Sequence, residues 1–180
     1  MAKQKRPAWY VPRPETDPPY AFFISHVAED APDVQQLKVE IEAYSGRGGR
    51  AGLRCFLDVT TWPGGNENSE VIREALLRSE HMVPWVTRNY LNAQRGWVWL
   101  ELAYSELIEL SMNVENLDIR HPYLVPIFRG ITVAEVERTP LLSYWQRKLL
   151  LSSDPASVRE VAMMLVDFRE QEAFKRASSH

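Results

Sequence analysis

The sequence predicts an α/β domain: a parallel sheet of roughly five strands with helices on both faces. Two observations carry this. Short apolar runs rich in aromatic and β-branched residues alternate with segments whose apolar residues recur every three to four positions, which is the strand–helix alternation of βαβ units. The strand runs are apolar nearly throughout, as strands covered on both faces are. Neither repeat nor linker interrupts residues 20–175, so they are assigned to one domain.

The bounds are those of an ordinary globular chain. Its 180 residues suffice for one domain with a substantial core, and 45% apolar and 25% charged residues are unexceptional. A net charge of -3 gives no general attraction to nucleic acid or anionic membrane, and neither is expected as a partner. The single cysteine, Cys55, excludes an intrachain disulfide framework and a cysteine metal cluster. A reducing, cytoplasmic setting is therefore expected. No apolar run approaches the roughly 20 residues of a membrane span, and no signal-peptide core follows the basic N-terminus.

Residues 1–19 read as a flexible basic, Pro-rich tail, with Lys3, Lys5, Arg6 and Arg13 among five prolines. Tyr20–Ser25 is the first strand. Glu29, Asp30 and Pro32 suit the first turn of a helix that continues through Val34, Leu37, Ile41 and Tyr44. Ser45–Arg50 stops it; this glycine-rich loop follows a helix and lacks the Gly-Lys-Ser/Thr of a phosphate loop. Leu53–Asp58 is the second strand and Val59–Ser69 a long turn-rich loop. A helix spans Glu70–Ser79. His81–Thr87 is the third strand, with Pro84 a poor fit for a central ladder and a candidate bulge. Arg88–Gln94 connects to the next helix, Tyr123–Phe128 is the fourth strand, and Leu149–Leu151 a weak fifth. A closing helix runs from Ala156 to Phe174, and residues 176–180 form a C-terminal tail.

The stretch Arg95–Glu106 carries the functional signal. Gly96 opens a helix with apolar residues at Trp97, Leu100, Tyr104, Leu107 and Ile108. Trp97 and Glu101 stand four apart and share a face. A carboxylate there must be solvated, paired or used. Open α/β sheets bind ligands outside the carboxyl ends of their strands. That places the polar residues His26, Glu29, Asp30, Asp58, Asn66 and Glu101 at one edge, with Trp62 and Trp97 as candidate aromatic walls.

These segments resemble, in order, the boxes of the Toll/interleukin receptor-like (TIR) domains of bacteria. Phe22-Phe-Ile-Ser-His26 with Glu29-Asp30 resembles the first box. Phe56-Leu-Asp58 with Pro63-Gly-Gly65 resembles the second box and its loop. Tyr90-Leu91 and Trp97-Val-Trp-Leu-Glu101 resemble the helix start where a Trp precedes a Glu by four. Val98 stands where the family often has Cys, and Asn92-Ala-Gln-Arg lacks the usual Ser. The resemblance covers Tyr20 to Phe128, is looser beyond, and implies a flavodoxin-like TIR domain.

The resemblance further implies an NAD+ glycohydrolase or ADP-ribosyl cyclase similar to Thoeris-like antiphage proteins. NAD+ is then a substrate, no cofactor or metal is implied, and Glu101 is the catalytic residue. Phe23, Ser25, His26, Asp58, Trp62, Asn66 and Trp97 are the candidate substrate-binding residues. The departing nicotinamide leaves an oxocarbenium-like sugar, as in glycoside hydrolysis, and a nearby carboxylate can stabilise that charge. Attack by water gives ADP-ribose; attack by an adenine nitrogen gives a cyclic isomer. The resemblance also implies TIR–TIR self-association and a separate sensor or effector protein. The alternative is a non-enzymatic interaction module, an adaptor or host-mimicking effector. In that case Glu101 is an early-turn acid favoured by the helix dipole, Phe23 and Ser25 are strand core and strand end, and His26 and Asp58 are loop hydrogen-bonders.

Overall fold

A computed structural model describes residues 20–45, 52–57, 67–93, 97–115, 122–139 and 157–178. The strands are β1 (Tyr20–Ser25), β2 (Cys55–Leu57), β3 (Ser79–Val86) and β4 (Ile127–Phe128). The helices are α1 (Ala31–Ser45), α2 (Glu67–Leu77), α3 (Arg88–Asn92), α4 (Trp97–Glu115), α5 (Val133–Glu137) and α6 (Val158–Ser178), with a 3-10 turn at Ala28–Asp30. The sheet is four-stranded among the described residues, in the order β2-β1-β3-β4, and every pairing is parallel. The expected fifth strand, Leu149–Leu151, lies outside the described residues, as does the segment 1–19.

Strand alternation sorts the core onto two faces. Phe22 and Ile24 of β1, Val83 and Trp85 of β3 and Ile127 of β4 pack with Val34, Leu37 and Ile41 of α1 and Val161, Leu165 and Phe168 of α6. Phe23, Met82, Val86 and Phe128 point the other way, onto Ile72, Ala75 and Leu76 of α2 and Val98, Leu102 and Ile108 of α4. Both faces are covered, which is why the strand runs are continuously apolar. No helix among the described residues is long and apolar enough to cross a membrane.

Pro84 does not mark a bulge. Its strand pairs with β1 in unbroken register, Ile24 opposite Val83 and Ser25 opposite Pro84. The backbone of Met82 bonds to β4-side residues, accepting from Val125 and donating to Tyr123. By alternation Pro84 faces the same side, where its missing N–H meets an interrupted ladder. The Leu124 bridge and β4 flank that gap. The expected strand Tyr123–Phe128 is accordingly reduced to a bridge and Ile127–Phe128, with Pro126 between them. The connector Arg88–Gln94 holds the short helix α3. The second helix starts earlier than predicted, at Glu67, and Ser79 already belongs to β3. The closing helix continues past Phe174 to Ser178.

Candidate active site

The site forms where β1 ends and α4 begins. Phe23 and Ser25 share the strand face toward α2 and α4, and Glu101 sits one turn inside α4. The Ser25 hydroxyl donates to Glu101 Oε2 at 2.5 Å, and the Tyr90 hydroxyl lies 3.2 Å from Ser25 Oγ. Serine has one hydroxyl proton. It is spent on Glu101, so Tyr90 donates to Ser25, and a chain runs Tyr90 → Ser25 → Glu101. Its members are buried: Glu101 is 1% exposed, Ser25 and Tyr90 fully enclosed. Burial drives the Tyr90 phenol well above its ordinary value; the Ser25 bond opposes that and the Glu101 charge adds to it. The phenol therefore stays protonated and remains a donor.

Local sequence explains the placement of Tyr90. Thr87 follows β3 and caps α3, its Oγ1 accepting the Tyr90 N–H at 3.1 Å. The Thr87 hydroxyl in turn donates to Asp30 Oδ2 at 2.5 Å, and Asn89 Nδ2 donates to Asp30 Oδ1 at 3.1 Å. Asp30 thus clips the turn after β1 onto the start of α3 and holds Ser25 and Tyr90 in register.

Beside this chain α2 and α4 enclose a pocket of about 440 Å³, a size common for small-ligand sites. Glu70, Ile72, Arg73 and Leu76 line it from α2, and Leu100, Glu101 and Tyr104 from α4. Ile72 and Leu76 are buried and form an apolar floor. Glu70 and Arg73 are exposed at its mouth, 3.7 Å apart. The buried stripe of α4 is Val98, Glu101, Leu102, Ser105, Ile108 and Ser111; of the apolar residues read from the sequence Ile108 belongs to it, whereas Leu100 is exposed and Tyr104 and Leu107 are half-buried. Leu100 and Tyr104 are apolar because they form a pocket wall, so core and wall residues were merged in the sequence periodicity. Trp99 lies partly buried against the core, its indole N–H donating to Ala93 O at 2.5 Å.

Of the residues singled out from sequence, the structure brings Ser25 and Glu101 into direct contact. His26 is buried immediately after Ser25. Phe23 is fully buried in the core and stacks on Phe56 at 5.3 Å. Trp97 is the first residue of α4; its side chain, and Asp58, Trp62 and Asn66 entirely, lie outside the described residues. Tyr90, Glu70, Arg73 and Tyr104 were missed. The Thr87 cap signal and the three- and four-residue spacing of Leu100, Glu101 and Tyr104 would have pointed to some of them.

Chemically, a buried carboxylate reached from a half-apolar pocket suits a ligand with a cationic or charge-developing centre. No protein-family model matches the chain. The chain is 27% identical over 156 residues to a 2' cyclic ADP-D-ribose synthase, AbTIR, of Acinetobacter baumannii (strain 1295743). That match takes in 86% of this chain and 51% of the relative, so the chain spans about half the length of the curated protein it matches.

Proposed function

We propose, from the premise that this chain is a TIR-domain protein of bacterial type, that it cleaves NAD+ at the nicotinamide–ribose bond with Glu101 as the catalytic carboxylate. The observation that carries the reading is the Ser25-bound, buried Glu101 at the wall of the α2/α4 pocket. Nicotinamide leaves with the electron pair of the C–N bond and becomes neutral. The ribose carbon takes up positive charge, and the Glu101 carboxylate stabilises it in a low-dielectric site. Ser25 holds one carboxylate oxygen, so the group is oriented before substrate arrives.

Capture of the cation by water gives ADP-ribose. Capture by a group within the same molecule gives a cyclic isomer with no water added. The name of the relative, a 2' cyclic ADP-D-ribose synthase, favours the cyclised product. We place the product in antiphage signalling through a separate effector protein, with activity raised by TIR–TIR self-association; the resemblance alone supports these steps.

A second reading has its own observation. A carboxylate 1% exposed and bonded to a strand-end serine also suits an anchor that docks α4 on the sheet in a non-enzymatic interaction module. Nicotinamide release from NAD+, followed by chromatography with and without a crowding agent, separates the two. Glu101→Gln keeps the shape and a partner for Ser25 but removes the charge. The expected loss in kcat is on the order of 10²–10³-fold with the melting temperature within a few degrees of wild type. A Gln variant that retains wild-type turnover removes Glu101 from catalysis. Release of nicotinamide by neither protein, at any concentration, favours the interaction module. The product mass distinguishes ADP-ribose from a cyclic isomer.

A further inference from the structure

We infer that Arg73 is the phosphate-binding residue of this pocket, taking the pyrophosphate of the dinucleotide whose cationic end lies at Glu101. The inference rests on the reading of the pocket as an NAD+ site. Around the nicotinamide-ribose bond NAD+ is cationic; at its pyrophosphate it is anionic. The pocket has the matching order of charge. Glu101 is 1% exposed on one wall, and Arg73, its side chain 51% exposed, lines the pocket from the facing helix together with the apolar Ile72 and Leu76.

Arg73 is also held loosely enough to accept a ligand. Its contact with Glu70 is 3.7 Å long, and the two side chains are 51% and 80% exposed. That distance exceeds a charge-assisted hydrogen bond of about 2.7–2.9 Å. A phosphate offers a guanidinium the bidentate geometry that this contact lacks, and Glu70, once released, returns to water at little cost. The next arginine of this region, Arg78, is comparably exposed but is set apart by its position. It lies 3.3 Å from Glu74 and does not line the pocket.

The test compares full-length wild type, Arg73→Gln, Arg73→Lys and Arg78→Gln in steady-state nicotinamide release. Two substrates are used: NAD+, and nicotinamide riboside, which carries the same scissile bond and no phosphate. Arg73→Gln should raise the KM for NAD+ roughly tenfold, the size of a lost charge-assisted bond at a half-exposed site, with kcat within about twofold. Arg73→Lys should recover part of the loss, and Arg78→Gln should match wild type. Turnover of the riboside should be the same in wild type and Arg73→Gln. An unchanged KM for NAD+ in Arg73→Gln, or an equal loss on both substrates, overturns the inference while leaving NAD+ cleavage standing. Wild-type protein that cleaves neither substrate removes the NAD+ reading and this inference with it.

Discussion

Ser25 has a single hydroxyl proton, and the way it is used sets the electrostatics of the pocket. Donated to Glu101, it leaves Ser25 Oγ as acceptor for the Tyr90 phenol, and each bond in such a chain polarises the next. Tyr90→Phe removes one hydroxyl and keeps the ring. We expect stability to fall by about 1 kcal/mol and kcat for nicotinamide release to fall roughly three- to tenfold, with KM unchanged. Equal kcat in the two proteins would show that the phenol only fills space. On the opposite sheet face Cys55 makes a different prediction. Burial first, and the Glu42 carboxylate second, push its thiol from 9.0 up to about 12. The folded chain keeps a proton that the unfolded chain gives up. The contribution is therefore full below about pH 9 and is lost as pH rises toward about 12. Urea midpoints measured from pH 8 to 10.5 should decline, and Cys55→Ala should flatten that decline; identical slopes would refute the assignment.

The helices α3 and α5 are short, and their starts are capped by side chains. At α5, Thr132 and Glu135 form a reciprocal capping box, and Arg88 of α3 donates to Glu135 at 3.0 Å, so one carboxylate joins both helices. The backbone N–H of Thr132 is the main reason the Glu135 carboxyl sits below its ordinary range, followed by the Thr132 hydroxyl and Arg88. Thr132→Ala should cost about 1 kcal/mol near neutral pH. A depressed carboxyl stabilises above its unfolded value and loses that effect as pH falls, so the gap between variant and wild type should narrow in acid. Denaturant titrations at pH 7 and pH 3 decide it; a gap that stays constant means Glu135 is not part of the cap. Helices of this length leave little periodicity in a sequence. The whole of α3 is Arg88–Asn92, which is why Arg88–Gln94 reads as a connector and Tyr90, although part of the family resemblance, has no place among the predicted site residues. The longer α1 was legible from Val34, Leu37 and Ile41, which are its buried residues. The face of α4 was not, because apolar residues there serve both a core and a pocket wall.

At the scale of the molecule the sheet separates chemistry from scaffolding. The carboxyl ends of β1 and β3 lead to Ser25 and to the Thr87–Tyr90 turn, whereas the amino end of β3 is tied down by Glu80. Arg169 of α6 grips that carboxylate with both Nε and Nη2, at 3.0 and 2.6 Å, and the bond raises the guanidinium further above its ordinary value. The βαβ alternation made this architecture legible, since each strand run needed cover on both faces. The Glu80–Arg169 pair was invisible in sequence because its members are far apart in the chain and each looks like an ordinary surface charge. Its position separates stability from function. The pair is partly buried and bidentate, so Arg169→Gln should cost about 1–2 kcal/mol, a fall of roughly 2–8 °C in melting temperature for a chain of this size. The pocket lies at the other end of the strands, so kcat and KM for NAD+ at 25 °C should stay within about twofold of wild type. Calorimetry paired with steady-state kinetics tests both halves. A variant that melts like wild type would show the pair to be solvated, and one that loses kcat in proportion to stability would show that α6 reaches the site through the sheet.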